Sequence, residues 1–131
     1  MYLDSDVFLG CLFPHDVWGE WARGIQAMPE DKYTSASTLL ELAFVLQRDK
    51  KESAVDLCER VHRAFPNLQF IPLEAAHMRR AFELQWRYGL NPFDAIHAAV
   101  CLDNDARMAS TDKSFPRVDG MTLMPVPRST I

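Results

Sequence analysis

Long apolar runs are missing from this 131-residue sequence, and none approaches the ~20 residues that a membrane-spanning helix needs. The N-terminus lacks the basic stretch of a secretory signal, and its acids, Asp4 and Asp6, argue against one. Cysteine is scarce: Cys11, Cys58 and Cys101 are odd in number, far apart and set among apolar residues. They indicate buried free thiols rather than a disulfide framework or a zinc site. We therefore expect a cytoplasmic protein with no membrane partner.

A surplus of positive charge is absent as well. The sequence has 14 basic and 18 acidic residues, a formal net charge of −4, which is unlike the basic surface of a passive nucleic-acid binder. An acidic balance does not exclude a nuclease, because bound cations offset an acidic site. Linkers rich in Pro, Gly or Ser, internal repeats and low-complexity tracts are also lacking, so the length suits a single domain over 1–131.

What the sequence does contain is an alternation of short apolar strands and helices. Strands are predicted at 1–5, 32–36, 68–73, 106–111 and 121–126, and helices from residue 6 or 7 to 13, and at 15–28, 37–48, 52–65, 74–89 and 91–105. Ser37 and Asn91 are predicted N-caps, with Pro92 as the first helical position and Gly89 as the residue after a helix. This alternation predicts an α/β three-layer sandwich with a mostly parallel central sheet flanked by helices.

Four acidic residues interrupt this apolar pattern. Asp4 ends the first strand, Glu41 lies within TLLELAFVL, Asp94 opens an apolar helix, and Asp112 follows a late strand. Taken alone, each acid has a structural explanation. Asp4 and Asp112 could serve as a helix cap or a turn residue, and Glu41 could lie on the solvent-facing stripe of its helix. Asp94 suits the positive end of the helix dipole. Asp6 fits the cap position of the first helix better than Asp4.

Together, the acids predict a shared site. In parallel sheets, ligands bind beyond the carboxyl ends of the strands, where Asp4 and Asp112 are both expected. Carboxylates that converge repel one another unless a cation is present, and oxygen ligands select Mg²⁺ or Mn²⁺. His97, one turn after Asp94, is interpreted as a satisfied core residue and is assigned no chemistry.

The order of these motifs resembles the PIN-domain family, in particular the toxin ribonucleases of type II, VapBC-type toxin–antitoxin pairs. The matching segments are YLDSDVF, YTSASTLLELAFVL, NPFDAIHAAV and STDKSF, and the agreement in order and spacing extends from residue 2 to about residue 126. Two positions depart from the family pattern: Asp6 stands where Asn is usual, and Ser110 where Thr is usual.

The resemblance implies a Rossmann-like sheet and an Mg²⁺- or Mn²⁺-dependent endoribonuclease that leaves a 5′-phosphate and a 3′-hydroxyl. It implies that Asp4, Glu41, Asp94 and Asp112 form the acidic site. The three aspartates are the expected metal ligands, and Glu41 acts through water. Ser5 is expected to orient Asp4, and Asp6 either adds a metal oxygen or only caps the helix.

The resemblance also implies partners: an RNA substrate, a second copy of the chain, and a small antitoxin whose peptide covers the cleft and presents an Arg to the carboxylates. Basic residues at the rim are candidates for RNA contact, although a charged stretch is more often a solvated face. They are Arg48, Lys50, Lys51, Arg79, Arg80 and Arg87. For Trp18, Trp21 and Trp86, packing in the core or a dimer is favoured over stacking on bases.

Two other functions fit part of the pattern. One is a PIN-like module that binds RNA or a partner without cutting, which a complete set of acids argues against. The other is a phosphatase of the haloacid dehalogenase type, with Asp4 as nucleophile and Asp6 as general acid/base. That family expects Thr where Phe8 stands and a mid-chain catalytic Lys, for which no well-placed candidate is found.

Overall fold

Strands and helices alternate along the chain, as the sequence predicts. The computed structural model describes residues 1–49 and 52–127. The strands are β1 (Tyr2–Leu3), β2 (Tyr33–Ser35), β3 (Gln69–Ile71), β4 (Arg107–Ala109) and β5 (Thr122–Leu123). The helices are α1 (Ser5–Leu12), α2 (Gly19–Ala27), α3 (Ala36–Asp49), α4 (Ala54–Ala64), α5 (Ala75–Tyr88) and α6 (Pro92–Leu102), and a short 3-10 turn spans Phe115–Arg117.

The five strands form one parallel sheet in the order β3-β2-β1-β4-β5. The chain moves outward from β1 to β2 and β3, and then crosses back to place β4 against the other side of β1. Where the direction of winding reverses, a crevice opens beyond the carboxyl ends of the two neighbouring strands, and ligands bind there in such sheets. Asp4 directly follows β1 and Ser110 directly follows β4, so the acids begin at this switch point.

Helices cover both faces of the sheet, which gives the predicted three layers. Met1 and Leu3 pack into an apolar cluster formed with α1, α2, α3 and α4, whereas Tyr2 packs into a second cluster with α5 and α6. This division follows from the strand geometry, because successive side chains point to opposite faces. The predicted sandwich with a mostly parallel central sheet is confirmed, and Asp4 and Asp112 follow the carboxyl ends of β1 and β4.

The predicted end of α5 at Gly89 and the predicted start of α6 at Asn91 are confirmed, whereas α6 ends at Leu102 rather than at residue 105. Asn91 caps α6 by accepting a hydrogen bond from the backbone N–H of Asp94 (2.9 Å), and Pro92 is the first helical residue. Gly89 ends α5 in the left-handed region, with φ of 68°, a conformation that glycine adopts without the penalty of a Cβ. Gly89 and Asn91 thus define where α5 stops and where α6 begins.

Two other helix starts differ from the prediction. Ser37 is not an N-cap, because α3 begins directly after β2, and the Ser37 hydroxyl instead lies 2.6 Å from that of Ser35. The helix predicted from residue 15 begins only at Gly19, because Asp16 accepts a hydrogen bond from the N–H of Trp18 (2.9 Å) and forms a turn. Side chains of this kind hydrogen-bond the nearby backbone in turns as readily as at caps.

The remaining predictions concern cysteines, tryptophans and membranes. Cys11, Cys58 and Cys101 are free thiols as predicted, although only Cys101 is buried and the other two are half-buried. Trp18 and Trp21 are half-buried, whereas Trp86 on α5 is 91% exposed. Within 1–49 and 52–127, no helix combines the length and the apolar character that crossing a membrane requires.

Candidate active site

Asp4 is held rigidly at the carboxyl end of β1. Its side chain is 4% exposed, and each of its oxygens has a donor: Oδ1 accepts from the N–H of Ser5 (2.7 Å) and Oδ2 from the hydroxyl of Ser110 (2.6 Å). The first of these contacts makes Asp4 the N-cap of α1. The prediction that Asp6 fits the cap better is therefore wrong, and one carboxylate both starts the helix and faces the crevice.

Asp94 and Asp112 reach the same crevice from α6 and from the loop after β4. Asp94 lies in the first turn of α6, where Asn91 Nδ2 donates to its Oδ2 (2.8 Å). Asp112 Oδ1 accepts from the N–H of Ser114 (2.8 Å), and its own N–H donates to the Ser110 hydroxyl (3.0 Å). Each carboxylate is thus oriented by a neighbouring residue.

The pKa values show how closely the acids interact. Burial, the negative charges of Asp112 and Asp4, and a hydrogen bond with Asp112 raise the pKa of Asp94 to about 7. Burial also raises the pKa of Asp4, helped by the charge of Glu41 and opposed by His97 and Ser110. Like charges raise each other's pKa only when they are near. The structure therefore brings the four predicted acids together.

His97 belongs to this cluster, which the sequence did not indicate. It is fully buried on α6, and its Nε2 lies 3.1 Å from Glu41 Oε1 and 3.5 Å from Asp4 Oδ1. On the other side of the ring, Nδ1 lies 2.5 Å from the Tyr2 hydroxyl. Burial lowers the pKa of His97, but Tyr2, Glu41 and Asp4 raise it well above its usual value. The residue is buried and satisfied, as interpreted, and its partners are the acids themselves.

The spacing of α6 held a signal for this contact. His97 follows Asp94 by three residues, and side chains three apart share one face of a helix. An acid facing the crevice therefore brings a histidine close to it. The pattern DAIH alone does not distinguish this arrangement from an ordinary core histidine, because both leave the ring buried.

Glu41 on α3 joins the cluster through His97, whose Nε2 lies 3.1 Å from Glu41 Oε1. Burial raises its pKa, but a hydrogen bond and positive charge from His97 and a hydrogen bond from Ser5 lower it below its usual value overall. The Ser5 hydroxyl also lies 3.5 Å from Asp4 Oδ1. Ser5 thus contacts both carboxylates, which is the position expected of a residue that orients Asp4.

Asp6 lies in the first turn of α1, two residues after Asp4. Its Oδ2 accepts hydrogen bonds from the N–H (2.6 Å) and from the hydroxyl of Thr111. Its Oδ1 is buried and finds no hydrogen-bond partner among residues 1–49 and 52–127. Burial and the charge of Asp4 raise the pKa of Asp6 to about 7. Of the two roles expected for Asp6, capping is excluded, and its contacts are with the loop that carries Asp112.

The basic residues expected at the rim lie on exposed surfaces of α3 and α5, except for Lys50 and Lys51, which fall outside the described residues. Three of the arginines pair with carboxylates: Arg48 with Asp49 (3.1 Å), Arg79 with Glu83 (3.7 Å) and Arg87 with Asp119 (3.4 Å). Arg80 is exposed on α5. Exposed ion pairs of this kind are weak, so their partners do not hold these side chains firmly.

The donor atoms of the cluster fit a small divalent cation. Oxygens of Asp4 and Glu41 and a ring nitrogen of His97 all lie within 4.8 Å of one another, and Asp94 and Asp112 add two further carboxylates within electrostatic range. Carboxylate oxygens are the preferred ligands of Mg²⁺ and suit Mn²⁺, whereas the His97 ring would ligate Mn²⁺ only after losing the proton that its acidic neighbours stabilise. A bound cation would offset the crowding that raises the pKa of Asp94.

The chain was compared with protein-family models, curated sequences and solved structures, and one family model and several structures of similar fold match it. The PIN domain family matches residues 1–121. No curated protein sequence matches the chain. A toxin–antitoxin complex from Klebsiella pneumoniae superposes with a TM-score of 0.68 at 20% identity, covering 92% of this chain and 94% of the other.

Two further structures are similar over most of their length. VapBC2 from Rickettsia felis, bound to a DNA fragment from its promoter, gives a TM-score of 0.70 at 16% identity, covering 94% of this chain and 96% of the other. VapC20 from Mycobacterium tuberculosis, a toxin that cleaves the sarcin–ricin loop, gives 0.69 at 18% identity, covering 82% and 85%. At these identities, the likeness establishes the fold that the described strands and helices form.

Proposed function

Because the chain belongs to the PIN-domain family, we propose that it is a metal-dependent endoribonuclease and the toxin of a toxin–antitoxin pair. The observation that carries this proposal is the meeting of Asp4, Glu41, Asp94 and Asp112 beyond β1 and β4, where burial and the neighbouring charges raise the pKa of Asp94 to about 7. A similar structure belongs to a toxin that cleaves RNA in the sarcin–ricin loop. The family favours a nuclease over the phosphatase alternative.

In this proposal, Asp4, Asp94 and Asp112 hold Mg²⁺ or Mn²⁺, and Glu41 acts through a water molecule. Such a cation, when bound, lowers the pKa of water and offsets the negative charge of a phosphodiester. The protein's contribution is to fix its carboxylates before RNA arrives. Ser110 holds Asp4 by the hydrogen bond described above, and fixed ligands need no reorganisation during the reaction.

The proposed partners follow from the same site. Two similar structures contain toxin–antitoxin complexes, and an antitoxin Arg would pair with the carboxylates and block RNA. We also propose that the chain, as one domain, acts in the cytoplasm and forms a homodimer, since its exposed apolar side chains include Phe82 and Trp86 on α5, at 58% and 91% exposure. A monomeric mass by light scattering at micromolar concentration would argue against the dimer.

The test is RNA cleavage with Mg²⁺ or Mn²⁺ by the wild type and by Asp94→Asn. The wild type should cut RNA only with the cation, and EDTA should stop it. Asp94→Asn should lower the rate at least about a hundredfold, because it removes a charged ligand. Asp103→Asn is the matched control: this aspartate follows α6 at the other end, 59% exposed and paired with His77.

Several results would count against the nuclease. They are RNA left intact with Mn²⁺ present, equal cleavage by Asp94→Asn and wild type, or equal losses in Asp94→Asn and Asp103→Asn. Turnover of para-nitrophenyl phosphate that Asp4→Asn abolishes would instead favour a phosphatase. The antitoxin is tested with the product of a neighbouring reading frame, which should form a stable complex and inhibit cleavage.

A further inference from the structure

The contact between Asp6 and Thr111 joins two segments that are 105 residues apart in sequence. One oxygen, Asp6 Oδ2, receives both the backbone N–H and the hydroxyl of Thr111. Asp6 is fixed in turn by its place in the first turn of α1, which Asp4 begins. The carboxylate therefore anchors the loop after β4 to a helix that packs in the core. We call this pair of hydrogen bonds the Asp6–Thr111 clamp.

The clamp acts on a loop that carries one of the proposed metal ligands. Ser110 is fixed by its hydrogen bond to Asp4 Oδ2 (2.6 Å), and Asp112 comes two residues later. Between them, Thr111 is held from the α1 side. Because hydrogen bonds fix both Ser110 and Thr111, the backbone that leads into Asp112 is fixed as well. The Asp112 side chain interacts with that of Asp94.

We propose that Asp6 is a positioning residue, whose clamp on Thr111 sets Asp112 against Asp94 at the metal site. The effect on metal binding and cleavage rests on the nuclease function proposed above, whereas the effect on the loop does not. Partners that orient metal ligands change metal affinity by about 10- to 100-fold when they are removed.

The geometry shows which part of Asp6 this role needs. Both hydrogen bonds end on Oδ2, and Oδ1 has no hydrogen-bond partner in the part of the chain that the structure describes. A single acceptor oxygen is therefore sufficient for the clamp, and the amide of asparagine supplies one. Asp6→Asn should preserve the clamp without the charge, whereas Asp6→Ala should abolish it. Thr111→Val, which keeps the N–H and loses the hydroxyl, should have an intermediate effect.

The first measurement is amide hydrogen exchange of residues 110–114 in the wild type and the three variants. We expect exchange at Thr111 to rise at least tenfold in Asp6→Ala and to stay within threefold of wild type in Asp6→Asn. Asp16→Ala is the matched control, because Asp16 also accepts a backbone N–H, that of Trp18 (2.9 Å), in a turn outside the site. It should leave residues 110–114 unchanged.

The second measurement is Mn²⁺ affinity by calorimetry, together with the rate of RNA cleavage. We expect Asp6→Ala to weaken Mn²⁺ binding at least tenfold, and Asp6→Asn to stay within about threefold of wild type. A purely structural role would lower the melting temperature of Asp6→Ala and leave Mn²⁺ affinity unchanged. If Asp6→Ala does not fold, Thr111→Val is compared with wild type. We expect its Mn²⁺ affinity to fall about fivefold, beyond the limit set for Asp6→Asn, and an unchanged affinity would overturn the proposal.

Three outcomes would overturn the proposal: unchanged exchange at Thr111 when the clamp is removed, faster exchange with unchanged Mn²⁺ affinity, or equal loss of affinity in Asp6→Asn and Asp6→Ala. The last would indicate that the charge of Asp6 matters rather than its position. A wild type that neither binds Mn²⁺ nor cuts RNA would refute the nuclease proposal instead. In that case the exchange data still decide whether Asp6 holds the loop.

Discussion

Replacing His97 with leucine measures how much the buried network under the acids contributes to stability. The imidazole has no exposed surface and contacts Asp4, Glu41 and Tyr2. Leucine fills a similar space but removes the hydrogen bond to Glu41 and the imidazole beside Asp4, which keeps Ser5 and Ser110 as donors. Removing one partner of a buried charged pair costs about 3–5 kcal/mol.

The lower end of that range applies here. The Glu41 side chain is 19% exposed, so water can partly replace the lost contact. The Tyr2 hydroxyl also keeps Ser35 Oγ at 3.0 Å and Thr38 Oγ1 at 3.3 Å. We expect His97→Leu to lower the free energy of unfolding by about 3 kcal/mol, which corresponds to roughly 10 °C in melting temperature for a chain of this size.

Urea unfolding followed by circular dichroism measures this loss, and His77→Leu is the matched control. His77 on α5 lies 3.0 Å from Asp103, whose side chain is 59% exposed, and it also accepts the N–H of Glu74. Because that carboxylate is solvated, the control should lose only about 1 kcal/mol. A loss below about 1 kcal/mol in His97→Leu, or equal losses in the two variants, would refute this account of the network.

Two further predictions concern packing and thiol chemistry. Gly10→Ala should destabilise the protein by about 1–3 kcal/mol, because the new Cβ would lie 2.6 Å from the Cβ of Ala22. Gly24→Ala should instead stabilise α2 by about 0.5–1 kcal/mol, because its new Cβ would meet no described atom within 4 Å. Urea midpoints in the reverse order would contradict this packing. Burial and the charge of Asp105 raise the pKa of Cys101 to about 12, so its thiolate fraction at pH 8 is roughly a thousandfold below that of an ordinary cysteine. N-ethylmaleimide should therefore label Cys101 at least about a hundredfold more slowly in the native protein than in urea, and mass spectrometry that found equal rates would contradict its burial.

The sequence predicted the layers and the meeting of the acids because both follow from local patterns. Short apolar runs between helices predict a parallel sheet, and Asp4 and Asp112 at strand ends are then placed in one crevice by the topology. The caps at Asn91 and Gly89 are likewise local, since side-chain type and backbone conformation decide them.

What the sequence could not predict depends on neighbours that are distant in the chain. Asp4 and Asp6 are both acceptable caps by residue type, and the choice is made by Ser110 and Thr111, which hold one carboxylate each. The contact of His97 with Glu41 joins α6 to α3 across 56 positions. Such pairings are properties of the folded chain: the spacing of Asp94 and His97 places the histidine near the crevice, but it does not identify Glu41 as its partner.

The joining of β1 to β4 has a consequence for the time at which activity can arise. Asp4 is hydrogen-bonded to Ser110 and Asp6 to Thr111, across 106 and 105 residues. The side of the crevice that β4 and the following loop form is therefore absent until residues 110 and 111 are available to fold. Contacts this distant in sequence form slowly, because a long loop must close first. A nascent chain that ends before residue 110 carries Asp4, Glu41 and Asp94 but lacks Ser110 and Asp112, so it cannot complete the site. In the proposed function, this order delays RNA cleavage until the residues after β4 have been synthesised.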